Sequence, residues 1–285
     1  MYIKSTFGTI ESSGLNMSFL LSCFLLTVLC RTTDALNSVA WYYGDAVPVQ
    51  QLSKFEVAVV SPSSNLNPAT VSGATKYFAY VSLGEVTSDL PYYRDVPKSW
   101  IVAGNDVWGS EVINISVPAY ADFFATKVVG PLWTRGYRGF FLDTMDSYEL
   151  YATTSAAQAK QKAGMVNVIK AIKARYPSAS LIFNRGFEIL PQVHDLVYAV
   201  AFESLYASWD NEAKIYKPVD AEERNDLLAE VRNSKQLYPN IPIISIEYCA
   251  PTNNVCQQNA ITNVRAQGVI PYVADGLLMT MGRSV

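Results

Sequence analysis

Five acidic side chains of this 285-residue chain, Glu85, Asp143, Asp146, Glu203 and Glu247, stand at or just beyond the ends of apolar segments. An unpaired carboxylate among apolar residues is costly, so packing alone does not place acids there. Any one of them is as readily a structural acid, bonded to backbone amides or to an arginine such as Arg185; the set as a whole is harder to explain that way. Two carboxylates flanking a glycosidic bond are the minimum equipment for its hydrolysis. One protonates the leaving oxygen, and the other attacks the anomeric carbon or activates water, with no metal or cofactor required. Other chemistries lack parts. The one histidine, His194, precedes a predicted strand and so falls toward the end of the fold away from the acids, which leaves a Ser-His-Asp triad without its base and excludes a multi-histidine metal centre. Glycine-rich phosphate loops are absent as well. Neither a metal nor a cofactor is expected.

Something must hold these acids together, and the pattern of elements says what. Eight β-type runs are predicted at 39–43, 55–60, 77–83, 139–144, 180–183, 196–202, 243–246 and 269–273, with helical patterns between them and no linker or low-complexity break. Strands alternating with helices imply a parallel sheet, and eight strands close a (β/α)8 TIM barrel, read here as a single domain over residues 36–285. Ser116 and Pro118 open a predicted helix carrying Tyr120, Phe123 and Phe124; Gly136 stops it, and Pro131 is expected to kink or end it early. A second helix from Thr154 or Ser155 puts Val166, Ile169 and Ile172 on one face before Pro177. A third opens with Asp220 and Glu223 in capping-box spacing, buries Leu227, Leu228 and Val231 and stops before Pro239. A last one runs from about Asn253 to Gly268.

Strand parity then assigns directions, because alternate side chains point to opposite faces. With Gly139 and Phe141 inward, Asp143 points into the barrel mouth; with Ala199 and Ala201 inward, so does Glu203. The C-terminal strand ends are where barrels of this kind build their active sites. Asn184 and Arg185 close the fifth strand, placed to orient a carboxylate or bond a hydroxyl. Tyr42, Tyr148, Tyr206 and Tyr248 lie near other strand ends, placed either to stack on sugar faces or to pack the rim.

Composition agrees with a globular enzyme. Half the residues are apolar, only 16% are charged and the net charge is -3, so neither a basic nucleic-acid footprint nor a disordered acidic tail is present, and no nucleic-acid partner is expected. An apolar run at 19–29, preceded by Lys4, is too short to span a bilayer and resembles a signal-peptide core; cleavage after Ala35 gives a secreted mature form with no membrane segment, expected to be a monomer. Cys23 and Cys30 leave with that leader, and Cys249 and Cys256 remain as a disulfide pair. Asn114-Ile115-Ser116 is a glycosylation sequon.

The stretches Tyr80-Val81-Ser82-Leu83-Gly84-Glu85, Trp108-Gly109-Ser110-Glu111, Gly136-Tyr137-Arg138-Gly139-Phe140-Phe141-Leu142-Asp143-Thr144-Met145-Asp146-Ser147-Tyr148 and Phe202-Glu203-Ser204-Leu205 resemble glycoside hydrolase family 114, the endo-α-1,4-polygalactosaminidases and related TIM-barrel proteins. The resemblance runs from about Val39 to the C-terminus and departs from the family pattern at Asn114. It implies an endo-acting hydrolase of α-1,4-linked galactosamine polymers, galactosaminogalactan among them, with Asp143 as nucleophile and Glu203 as general acid/base of a retaining mechanism. Deacetylated galactosamine is a cation, which gives Glu85, Asp146 and Glu247 an expected purpose in binding its amines. The alternative is a catalytically weak barrel that binds polysaccharide as a recognition module.

Overall fold

Each of the eight apolar runs forms a strand, and the strands pair in parallel in chain order: β1 (Val39–Tyr42), β2 (Val57–Val60), β3 (Lys76–Ser82), β4 (Gly139–Asp143), β5 (Ser180–Asn184), β6 (Ala199–Glu203), β7 (Ile243–Tyr248) and β8 (Ile270–Ala274). The computed structural model describes residues 36–284. The expected leader, with Lys4, Met17, Cys23 and Cys30, lies outside them. Among the described residues no helix is long and apolar enough to cross a membrane.

Register shows which side chains fill the interior. Partnered residues of parallel strands share a face, so the chain of pairs Val39↔Val57, Trp41↔Val59↔Phe78↔Gly139, Tyr80↔Phe141↔Ile182↔Ala199 and Asn184↔Ala201↔Ile244↔Ile270 traces the inward set. These are the large apolar layers of a packed barrel. Trp41 meets the Phe141 ring edge-on at 5.5 Å and lies 5.7 Å from Tyr272. Gly139 is small for a reason: a Cβ there would stand 2.5 Å from the Phe78 ring.

Seven of the eight strand contacts needed for closure are backbone ladders. Between β8 and β1 the described residues show no ladder. That seam is held by other means: the Tyr272 hydroxyl donates to the Trp41 carbonyl (2.7 Å), Tyr43 N–H donates to the Leu278 carbonyl (2.8 Å), and Arg283 bridges back to Val273 from the C-terminal segment.

The helices follow the sequence unevenly. Ser155–Arg175 (α1) is capped by the Thr154 hydroxyl and buries Val166, Ile169 and Ile172. In Ala221–Leu237 (α2), Asp220 holds the N-cap position without the side-chain hydrogen bond of the expected capping box. Asn254–Ala266 (α3) is capped by the Asn253 side chain. The helix around Pro131 departs from expectation in two ways: it starts at Tyr120 rather than at Ser116, and it continues through the proline to Arg135. A π-helical turn at Phe124–Val129 immediately precedes Gly130 and Pro131. A widened turn makes room where the proline ring would strike the preceding carbonyl and where its N–H is missing, so the run bulges instead of breaking.

Two small antiparallel sheets were not anticipated. Glu85–Val86, Ile101–Asn105 and Ser110–Ile113 form one in the β3–β4 connection, and Ala207–Asp210 pairs with Ile215–Pro218 in the β6–α2 connection.

Candidate active site

Asp143, Asn184 and Glu203 are the last residues of three adjacent strands, β4, β5 and β6. The Asn184 amide nitrogen donates to Asp143 Oδ1 at 2.6 Å and to Glu203 Oε1 at 3.0 Å. The two acceptor oxygens are therefore no farther apart than those bonds laid end to end, 5.6 Å. The other oxygen of each carboxylate also has a donor: Tyr80 OH to Asp143 Oδ2 at 2.8 Å from β3, and Tyr248 OH to Glu203 Oε2 from the end of β7. Tyr43, just beyond β1, packs edge-on against Tyr80 with ring centres 5.3 Å apart.

The backbone turns sharply behind each of the three. Thr144, Arg185 and Ser204 are non-glycine residues with φ of 58°, 62° and 65°. Left-handed backbone of this kind costs roughly 1–2 kcal/mol per residue and persists where surroundings enforce it, commonly at functional sites. Here the strand hydrogen bonding enforces it: Arg185 N–H donates to the Ala201 carbonyl and Ser204 N–H to that of Ile246, both at 2.7 Å. The chain leaves the barrel immediately after the side chain that points into its mouth.

Burial sets the electrostatics. It pushes the Asp143 carboxyl above its ordinary range, opposed by the hydrogen bonds from Asn184 and Tyr80 that favour the anion. Burial also raises Glu203, and the negative charge of Asp143 raises it further; Tyr248, Asn184 and Arg185 pull the other way. The hydroxyls of Tyr43, Tyr80 and Tyr248 are held well above the usual tyrosine range, by burial first and then by these carboxylates, which keeps them as neutral donors. One carboxylate ionised and one protonated, with facing oxygens within 5.6 Å, is the equipment of a retaining glycosidase, in which the pair is about 5–5.5 Å apart.

The model of glycoside-hydrolase family GH114 matches residues 33–284. The chain belongs to that family. Among solved structures, the glycoside hydrolase domain of PelA from Pseudomonas aeruginosa is 29% identical, with a TM-score of 0.78 over 87% of this chain and 98% of that domain. Aspergillus fumigatus Ega3, solved in complex with galactosamine, shares the fold at 16% identity and a TM-score of 0.65, covering 88% of this chain and 96% of that one. An uncharacterized protein of Deinococcus radiodurans is 26% identical over 78% of this chain and 74% of its own length.

Within this GH114 barrel the other expected site residues divide. Asp146 is exposed at the mouth, with Arg185 Nε 3.9 Å from its carboxylate. Glu85 is buried, its oxygens taken by Asn105, Ser110 and Ser147, which corrects its expected amine-binding place: it ties the small sheet to the loop after β4. Glu247 is likewise removed. It has the outward parity of β7, is fully buried, and accepts from the N–H groups of Leu205, Tyr206 and Ala207 and from the Ser245 hydroxyl. Tyr42 has the wrong parity too, pairing with outward Val60, and its hydroxyl lies back over Gly44; Tyr43 is the residue that faces the carboxylates. Tyr148 is buried beneath the mouth, its hydroxyl near Glu149 and Glu188. Tyr206 lies to one side, under the Arg224 guanidinium.

Cys249 and Cys256 form a disulfide. Asn114 is half-buried, its Oδ1 accepting from Ser116 and Gln161. His194 is exposed and stacks on Tyr238, away from the mouth. Among the described residues no group of His, Cys, Asp and Glu is placed to hold a metal ion. Tyr43 and Tyr80 escaped the sequence reading, although both carry the inward parity that Trp41 and Phe78 define.

Proposed function

We propose that this glycosidase is an endo-acting hydrolase of α-1,4-linked galactosamine polymers that works with retention. Asp143 attacks the anomeric carbon and forms a glycosyl ester while Glu203 protonates the departing oxygen. Glu203 then takes a proton from the water that hydrolyses the ester. The observation that carries this reading is the single Asn184 amide shared by both carboxylates, which fixes a short separation and leaves no room for a water-spanning pair. The assignment of roles follows the charges. Asp143 has two donors favouring its anion, and that anion keeps the proton on Glu203. Recognition of a polysaccharide without turnover gives no reason for two buried acids to share one donor. The polymer class rests on the family and on the galactosamine seen with Ega3. The reading also makes the protein a secreted monomer whose residues 1–35 are a leader and whose Asn114 carries a glycan. Reducing-end release from α-1,4-galactosamine polymer, acetylated and deacetylated, tests the activity: release is expected from the parent and none from Asp143→Asn. No release from either polymer would overturn it.

A further inference from the structure

A cleft of about 370 Å³ lies beside the carboxylate pair, between the Ala207–Asp210/Ile215–Pro218 hairpin and α3. Its size is within the range of small-ligand clefts, roughly 300–1,000 Å³. Tyr206, Tyr216 and Tyr248 line it together with Asn253, Asn259 and Asn263. Tyr248 belongs to both places, since its hydroxyl donates to Glu203. The lining holds a single charged side chain, Lys217, and that one is already paired with Asp210 at 2.9 Å.

The walls are fixed in advance. Tyr216 packs against Trp209 with ring centres 4.7 Å apart, and its hydroxyl accepts from Gly276 N–H at 3.2 Å, so the hairpin arches from the end of β6 to the loop after β8. Gly276 has no room for a side chain, because a Cβ there would meet the Trp209 ring. On the other wall, the Cys249–Cys256 disulfide ties the start of α3 to the end of β7.

The surface chemistry of α3 is unusual beside that of α2. The exposed face of α2 carries Glu222, Glu223, Asp226, Glu230 and Arg232, as a solvated helix ordinarily does. The exposed face of α3 offers Gln258, Asn259, Thr262 and Asn263, and Arg265 is the helix's one charge. Asparagine is a poor helix former, so packing and propensity give no reason for Asn259 and Asn263 one turn apart. Side-chain amides present a donor and an acceptor together, the pattern of neighbouring sugar hydroxyls or of an N-acetyl group, and tyrosine rings supply the apolar surface for a pyranose face.

The geometry points to this cleft as an accessory binding site for uncharged pyranose units, neutral hexose or N-acetylated amino sugar, of a chain whose neighbouring linkage lies at Asp143 and Glu203. The identity of the polymer rests on the galactosaminidase reading, and the chemistry of the cleft does not. Protonated galactosamine finds no carboxylate among the lining residues.

The test uses the full chain silenced by Glu203→Gln, with and without Asn259→Ala and Asn263→Ala, titrated calorimetrically with long N-acetylated α-1,4-galactosamine oligomers and with their deacetylated counterparts. Both alanine changes raise helix propensity, so loss of binding does not report unfolding. The double substitution is expected to weaken binding of the acetylated oligomer about tenfold, the loss of two neutral hydrogen bonds, and to leave the deacetylated one unchanged. Equal affinity for the acetylated oligomer with and without the two asparagines, or an effect confined to the deacetylated oligomer, overturns the proposal. Cleavage assays on the unsilenced chain separate the two failures: turnover without the affinity difference sinks the cleft alone, and the affinity difference without turnover sinks the catalytic reading alone.

Discussion

Asp143 and Glu203 face one amide nitrogen, and that shared donor governs how they titrate. Both carboxyls have native pKa values raised above those of the unfolded chain, chiefly by burial, so each binds its proton more tightly when folded. The stability tied to those protons is complete below the unfolded pKa and is lost as pH rises through the raised folded value. Glu203→Gln removes the buried charge. It is expected to be more stable than the parent at neutral pH by about 0.5–2 kcal/mol, with the gap closing below the ordinary glutamate pKa of about 4.3. Denaturant midpoints at neutral and acid pH measure this, and a variant less stable than the parent at neutral pH would contradict it. The same variant should lose on the order of 10²–10⁴ in turnover. Asn184→Asp keeps the shape but replaces the bridging donor by a third carboxylate. The kcat/KM profile is then expected to fall at least a hundredfold and to move to higher pH, because a like charge raises both neighbours; an unmoved profile would mean that Asn184 does not set their charges. Asp143, Asn184 and Glu203 were all legible in the sequence, since each ends a strand whose alternation aims it inward. Glu247 was misread because it lies one parity step out of that pattern, next to the inward Tyr248.

The elements explain what the sequence hid. Tyr80 sits two residues inside β3 and reaches Asp143 only because β3 and β4 are paired with Ser82 opposite Asp143, a register that no local pattern announces. Glu85, Ser110 and Ser147 come from three separate segments, and the cage they form exists only once the small sheet of the β3–β4 connection folds over the loop after β4. The hairpin after β6 is short and polar enough to read as loop. Pro131, by contrast, was read correctly as a disturbance and wrongly as a stop, because the π-helical turn before it absorbs the clash. The seam between β8 and β1 gives this scale its own test. Tyr272→Phe deletes the hydroxyl that donates to Trp41 and accepts from Gly282, leaving a buried carbonyl without its partner. A loss of about 1–3 kcal/mol in unfolding free energy is expected, measured by urea denaturation; an unchanged midpoint would show that the seam does not depend on this bond.

At the scale of the molecule, a ring of eight strand ends brings together side chains from 43 to 248 in the sequence, and a family match over nearly the whole described chain agrees with that architecture. The number of strands, their parallel order and the catalytic rim followed from alternation and periodicity, while the hairpins and the cleft beside α3 needed the tertiary structure. The acidic rim imagined for a cationic polymer is smaller than it looked, since Glu85 and Glu247 are buried and satisfied and Asp146 remains. Attraction of substrate therefore depends on Asp143, Asp146 and the hydrogen-bonding walls more than on long-range charge. The most direct test is the anomeric configuration of the first product, followed by proton NMR from the moment enzyme meets a defined α-1,4-galactosamine oligomer. A carboxylate pair held within 5.6 Å by one amide requires the newly formed reducing end to appear as the α anomer before mutarotation. First appearance of the β anomer would mean that water, not Asp143, attacks the sugar.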